Sequence, residues 1–227
     1  MKIVALLPMK ANSERVKGKN FKSFYGKPLF KWMLNKLLKI DQIDKVVINT
    51  DAREIINSHD IFEEEKIIIR DRPKHLCGDF VSMNKVIQND IENIKADAYL
   101  MTHTTNPLVS INSIIGIIDK YMADINNGYD STFSVNKIQT RFYDNKCMPI
   151  NHNPNNLIRT QDLEVWYEEN SNLYVFSKES FLKTYARIGA NPSYFITNKI
   201  ESTDIDSEAD WEIAEALMSH IQKKSVK

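Results

Sequence analysis

The sequence predicts an α/β fold: a doubly wound, mostly parallel sheet with helices on both faces. Two observations carry this. Short, continuous apolar runs recur along the chain, as in strands covered on both sides. Between them lie apolar stripes at three- and four-residue spacing, the mark of helices with one buried face. Strands alternating with helices imply βαβ units. The 227 residues, 42% of them apolar, suffice for one large core. At roughly 150 residues per domain they also leave room for a small sub-structure.

The first strand is Ile3-Val4-Ala5-Leu6-Leu7. Its apolar stretch is too short for a secretory leader, and charged residues follow with no small-residue cleavage site. A helix follows, with Phe30, Met33, Leu34, Leu37 and Leu38 on one face. Lys45-Val46-Val47-Ile48-Asn49 and Lys66-Ile67-Ile68-Ile69 are the next strands. Met83, Val86, Ile87, Ile91 and Ile94 mark a second helix, and Ala98-Tyr99-Leu100-Met101 a further strand. A third stripe runs through Ile111, Ile114, Ile115, Ile118, Tyr121, Met122 and Ile125, before the strand Ser131-Thr132-Phe133-Ser134-Val135. The pattern breaks near residue 140. Residues 141–169 are polar and aromatic, with Pro149 and Pro154, and too long for a simple connection. Leu173-Tyr174-Val175-Phe176 is strand-like, and residues 207–222 form a last helix with a capping box from Ser207 to Asp210. Trp32 and Trp211 are expected in the core, and Lys223 to Lys227 are expected to fray.

Lys plus Arg and Asp plus Glu each number 30, so the net charge is zero. That argues against a general nucleic-acid binder but not against a local pocket for one anion. Two cysteines, Cys77 and Cys147, make neither a disulfide scaffold nor a cysteine-rich zinc site. No apolar run is long enough for a membrane helix. The chain is expected to be cytoplasmic.

The most informative segment is the first loop, Pro8-Met9-Lys10-Ala11-Asn12-Ser13-Glu14-Arg15-Val16-Lys17-Gly18-Lys19-Asn20. In open α/β sheets ligands bind beyond the carboxyl ends of the strands, where this loop lies. Its cations suit a triphosphate, although charge alone equally describes a solvated loop. Neither the Walker pattern nor the dinucleotide fingerprint is present, for Gly18 and Gly26 are the only glycines here.

Pro8-x-Lys10-x2-Ser13-x-Arg15-x2-Gly18-Lys19-Asn20, followed by Gly26-Lys27-Pro28-Leu29, resembles the nucleotide loop of the acylneuraminate (CMP-sialic acid synthetase-like) cytidylyltransferases. Further segments resemble that family in order along the chain. They are Val47-Ile48-Asn49-Thr50-Asp51, Arg72-Pro73 through Leu76-Cys77-Gly78-Asp79 to Ser82, and Thr102-His103-Thr104-Thr105-Asn106-Pro107-Leu108. Arg159-Thr160-Gln161-Asp162-Leu163, Asn170-Ser171-Asn172-Leu173-Tyr174 and Ser202-Thr203-Asp204-Ile205-Asp206 complete the set. The resemblance implies a Rossmann-like nucleotidyltransferase over residues 1–227, with a dimerisation arm at about 141–169. It implies transfer of CMP from CTP to the anomeric hydroxyl of a 2-keto-3-deoxy sugar acid, with release of pyrophosphate, for glycan synthesis. It also implies Mg²⁺ as cofactor and a homodimer, with no nucleic-acid or membrane partner. Such chemistry is mainly positioning and charge stabilisation.

The site roles follow from the resemblance. Lys10, Asn12, Ser13, Arg15, Lys19, Asn20, Arg72, Asp79 and Ser82, with the backbone of Leu7, are the nucleotide contacts. Lys19, Asp204 and Asp206 are the catalytic set, the two aspartates as Mg²⁺ ligands. Side chains alternate along an extended segment, so both are expected to serve one site only if the strand ends or bends there, or if one acts through water. Asp206 could instead cap the last helix, as Ser82 could cap an earlier one. His103, Thr104, Thr105, Asn106, Arg159, Gln161 and Asn170 are the sugar-acid contacts. The chain departs from the family at Glu14, His103, Val109 and Thr160. Arg159 is left to meet the acceptor's carboxylate, and the acceptor is expected to differ from common sialic acid. The alternatives are a CMP-Kdo synthetase-like enzyme, another sugar nucleotidyltransferase, or a catalytically silent binding relative. The Gln-Gly-Asp-Glu-Pro segment of CMP-Kdo synthetases is absent: this chain has His103-Thr104-Thr105-Asn106-Pro107 there.

Overall fold

The computed structural model describes residues 1–59, 61 and 65–225. Strand β1 (Ile3–Leu6) is followed by a hairpin of β2 (Ser23–Phe24) and β3 (Lys27–Pro28), then helix α1 (Leu29–Leu38). Next come β4 (Ile43–Thr50), the short α2 (Arg53–Asn57), β5 (Ile67–Asp71), α3 (Met83–Asn93), β6 (Ala98–Thr102) and α4 (Ile111–Asp124). The chain continues through β7 (Ser131–Ile138), β8 (Trp166–Phe176), α5 (Lys178–Thr184), β9 (Pro192–Ile196) and α6 (Glu208–Ser225).

Seven strands form one sheet in the order β5-β4-β1-β6-β8-β7-β9. Strands β5, β4, β1 and β6 run parallel; β8 is antiparallel to both β6 and β7, and β7 is parallel to β9. The sheet is the expected mostly parallel, doubly wound one. Its two faces follow from the period-two alternation of a strand. Ile3, Ala5 and Leu7 pack with Phe30, Met33, Ile114 and Ile118 on one side. Val4 and Leu6 pack with Ile87, Ile91, Tyr174 and Phe181 on the other. A third cluster joins Val16, Phe24, Leu29, Ile205, Trp211 and Met218, with Trp32 against it, and so docks α6 onto the β2–β3 hairpin.

The segment after β7 departs from the sheet, as expected, but returns sooner. Trp166 pairs with Ile138, so residues 166–169 belong to β8 rather than to the arm. Within the arm, Tyr143 bridges Pro149 and Phe142 stacks on Trp166 at 5.2 Å. At the carboxyl end, Lys223 and Lys224 are helical rather than frayed, and Val226 and Lys227 lie outside the described residues.

Helix α1 also fastens the loop that leaves β6. Lys36 donates to the carbonyls of Pro107 at 2.5 Å and Val109 at 2.7 Å. Burial pushes its amine down to about 8. The unfolded chain therefore holds this proton more tightly, and the stability Lys36 contributes rises with pH from about 8 toward its ordinary 10.5. Lys36→Met should cost about 2 kcal/mol at pH 7, since two carbonyls lose their donor. In urea titrations the gap between wild type and variant should widen between pH 8 and 10; a constant gap contradicts the burial argument.

Candidate active site

Strand β1 lies between β4 and β6: the chain passes from β1 to β4 and β5 on one side, then crosses to β6 on the other. A crevice opens at such a switch point, beyond the carboxyl ends of the strands. The backbone of β1 is prolonged toward it, with Leu7 N donating to Val47 O at 2.8 Å and Met9 N to Asn49 O at 3.0 Å. The first loop then turns back over the crevice. Gly18 takes a left-handed backbone conformation, φ 59°, and its carbonyl accepts from Phe21 and Lys22. Buried Val16 anchors the loop against Ile205 and α6.

The resulting cleft, about 290 Å³, is lined by four cations, Lys10, Arg15, Lys19 and Arg72, against two carboxylates, Glu14 and Asp79. Ser13, Asn20, His103, Thr104 and Thr105 complete the wall that matters here. Lys10 ion-pairs with Asp79 across the mouth and holds that carboxyl below the usual carboxylate range. Lys19 is an enclosed cation, its side chain 11% exposed. Its ammonium donates to Ile205 O at 2.6 Å and to Asp206 Oδ1 at 3.2 Å, and Arg15 Nη2 meets the same oxygen at 3.0 Å.

The segment carrying the two aspartates is held on β6's exit loop by Ile205 N donating to Thr105 O at 3.0 Å. Ile205 is fully buried. The expected bend is unnecessary. Positions two apart share a face of an extended segment, and Ile205 takes the opposite face into the core. Burial, reinforced by the charge of Asp206, pushes the Asp204 carboxyl up against the opposing hydrogen bond with Thr105. Asp204 Oδ1 is buried with no protein donor. An orphaned carboxylate oxygen beside a second carboxylate fits a hard cation, which takes one or two carboxylates plus phosphates. Among the described residues no cluster of three metal-ligating side chains occurs. Asp206 does not cap α6. Ser207 does, accepting from Asp210 N at 3.2 Å, while Ser207 N donates to Asp210 Oδ2 at 2.8 Å.

Asn20 is buried and spent within the protein. It donates to Lys10 O at 2.8 Å and accepts from Thr104 Oγ1 at 2.5 Å, so it stitches the first loop to the loop that leaves β6. Arg72 is set from beneath. Its Nε donates to Asn49 Oδ1 at 2.8 Å and its Nη2 to the carbonyls of Asn49 and Met9. Asn49 in turn donates to buried Asp90 at 2.7 Å, which also receives Arg70 at 3.0 Å. Burial raises the Asp90 carboxyl to about 6. Sequence reasoning missed this Asn49–Asp90 support.

The expected sugar-acid residues separate. His103, Thr104 and Thr105 line the cleft. Asn106 is buried, with neither amide atom paired to protein. Asn170 bonds Asn136, Thr197 and Ser134 within the sheet. Arg159 and Gln161 sit exposed on the arm, and Arg159 donates from Nε and Nη2 to Asp162, at 2.6 and 2.9 Å. Of the nucleotide set, Asn12 is exposed and outside the cleft lining, and Leu7 is fully buried. Ser82 caps α3, accepting from Asn84 N, and lines a neighbouring cleft. The cation that does approach His103 is Arg187, 3.3 Å from its Nε2, on the loop between α5 and β9. No motif marked it.

The profile of the cytidylyltransferase family matches residues 4–224. The chain belongs to that family. It is 26% identical to the pseudaminic acid cytidylyltransferase of Campylobacter jejuni, over 96% of each chain. It is also 26% identical to the CMP-N,N'-diacetyllegionaminic acid synthase of Legionella pneumophila, over the whole of both. Among solved structures it resembles CMP:2-keto-3-deoxy-manno-octonic acid synthetase complexed with CTP, at TM-score 0.69 and 15% identity, covering 97% of this chain and 99% of that one. The 4-diphosphocytidyl-2C-methyl-D-erythritol synthase of Anaerococcus prevotii follows at 0.67 and 11%, covering 96% of each. These two likenesses concern the fold. As a cytidylyltransferase the chain is a CTP-dependent nucleotidyltransferase. Among the described residues no helix is long and apolar enough to cross a membrane.

In this cytidylyltransferase His103 stands where burial, with Arg187 and Lys19 nearby, pushes its imidazole down to about 3. Arginine only donates, so Nε2 accepts and the ring proton belongs on Nδ1. The unfolded histidine titrates near its ordinary 6.5, so the stability this group contributes is present above that pH and lost as pH falls toward 3. The His103 ring signals in NMR should stay flat from pH 5 to 8. A titration within that range contradicts the enclosed, cation-flanked site.

Proposed function

We propose that this cytidylyltransferase transfers CMP from CTP to the anomeric hydroxyl of a 2-keto-3-deoxy sugar acid of the nonulosonate class, with release of pyrophosphate. The observation that carries it is the meeting of Lys19 and Arg15 with Asp206 at one end of the cationic cleft. The relatives named for pseudaminic and legionaminic acids support the acceptor class. Supply of an activated sugar for glycan synthesis follows from that class.

The residues divide the work. Lys10, Arg15 and Lys19 bind the triphosphate, and Lys19 stabilises the leaving pyrophosphate as a point charge. A triphosphate offers Lys19 and Arg15 a stronger anion than Asp206, whose carboxylate is then released. Asp204 and Asp206 would hold Mg²⁺, which neutralises phosphate charge. Thr104 and Thr105 offer hydroxyls from the β6 exit. Neutral His103 orients the acceptor without adding charge to the cleft. Lysine at position 10 keeps the charge but lacks a guanidinium fork.

The arm is read as a dimerisation element. It presents exposed Tyr143, Met148, Ile150, Leu157 and Ile158, an apolar set suited to an interface. Arg159 and Gln161 would then serve the partner's site. Light scattering at micromolar concentration should give about twice the chain's 26.4 kDa. A monomer contradicts the arm's role.

A screen of pyrophosphate release, four nucleoside triphosphates against a panel of 3-deoxy-2-keto sugar acids, tests the activity. CTP with a nonulosonate should turn over; turnover with another nucleotide alone contradicts the cytidylyl reading. Asp204→Ala and Asp206→Ala should each lower kcat by about 100-fold or more. Metal-free CTP binding should stay within about threefold, since the chain's own cations make those contacts. Full activity in both variants removes the metal assignment.

A further inference from the structure

Arg187 sits between α5 and β9, on a loop the resemblance left unassigned. Its Nη1 lies 3.3 Å from His103 Nε2 and 4.0 Å from Met101 Sδ, and its Nη2 lies 3.3 Å from Glu169 Oε1. Its guanidinium carbon stands 3.9 Å from the centroid of the Tyr174 ring, a stacking contact that fixes the plane of the fork. His103 lines the nucleotide cleft. Arg187 lines a second cleft, about 280 Å³, together with Ser82 and Ile188. Met83 lines both, so the two spaces adjoin, and Arg187 stands where the first gives way to the second.

We propose that Arg187 binds the carboxylate of the acceptor acid and is the residue by which this site selects an acid over a neutral sugar. The proposal rests on the reading of the enzyme as one that transfers CMP to a sugar acid. The chemistry favours this position. In such an acceptor the carboxylate is bonded to the anomeric carbon, which also bears the attacking hydroxyl. A cation one side chain from the nucleotide cleft therefore orients that hydroxyl toward the α-phosphate. Arginine matches a carboxylate with two parallel hydrogen bonds. Its present ion pair with Glu169 is long and open to water on the Glu169 side, which is 42% exposed, and Glu169 Oε1 also takes the Tyr174 hydroxyl. Such pairs contribute little, so a substrate carboxylate competes readily. The other arginines near the site differ from it in place, since none of them contacts His103 at the end of the cleft. Arg72 holds the carbonyls of Met9 and Asn49, Arg15 stands with Lys19 at the triphosphate end, and Arg159 lies out on the arm.

The test uses the full chain, CTP, and the acid of the panel that turns over fastest, beside the carboxamide of the same acid. Arg187→Gln should raise the acceptor KM by about 30-fold, the loss of a charge-assisted pair. It should also collapse the preference for acid over carboxamide, while the calorimetric affinity for CTP stays within about threefold. Arg187→Lys should restore part of the preference, because it keeps the charge but not the fork. If Arg187→Gln does not fold, as shown by lost CTP binding, Arg187→Lys carries the test through the same preference. An unchanged acid-to-carboxamide preference in a variant that binds CTP overturns the assignment and leaves the enzymatic reading standing. Wild-type enzyme that turns over no acid of the panel overturns the reading, and the assignment with it.

Discussion

A single lysine ties the beginning of this chain to its end. Lys19, on the loop after the first strand, donates to Ile205 O and Asp206 Oδ1, 186 and 187 positions further on. The bond is largely shielded from water, with the Lys19 side chain 11% exposed. Apolar packing runs in parallel, Val16 and Phe24 from the first loop meeting Ile205, Trp211 and Met218 from the last segment. The cleft exists because these two segments close on the same strand end. The chain's zero net charge is thereby given a place here: cations on one segment face carboxylates on the other.

The sheet supplies the rigidity behind that contact. β1 is buried along its whole length between two parallel neighbours, so the switch point at its end does not drift. Beneath the loop, Asp90, Asn49 and Arg72 form a run of hydrogen bonds that reaches the carbonyl of Met9. A buried carboxylate of this kind persists only when its partners satisfy it, and here two donors do. On the other flank, Lys36 holds the loop that carries Thr104 and Thr105 away from β6. The site is therefore built on strand ends and fastened from both sides.

Much of this was legible in the sequence, for identifiable reasons. The long stripes of α1, α3 and α4 and the apolar runs of β1, β4 and β6 bury whole faces, and a buried face writes its period into the chain. The β2–β3 hairpin, α2, α5 and the Pro-led edge strand β9 each bury too few apolar side chains to do so. The early start of β8 was hidden because Tyr167, Glu168 and Glu169 are exposed. The loop cations and the aspartate pair were found as residues through the resemblance, since charge alone describes a solvated loop as well. What their neighbours do was not. Asn20 and Asn170 spend their side chains on protein contacts, and Asn106 turns into the interior. Arg187 meets His103 across 84 positions, a relation that no local pattern records.

On the proposed function, nucleotide binding turns on Lys19, which the last segment holds in place. Calorimetric titration of CTP into the wild-type chain and its Lys19→Met variant tests this most directly. Loss of one enclosed charge-assisted contact should weaken CTP binding by about 30-fold, with the variant still folded. Equal affinities in the two proteins would contradict the account.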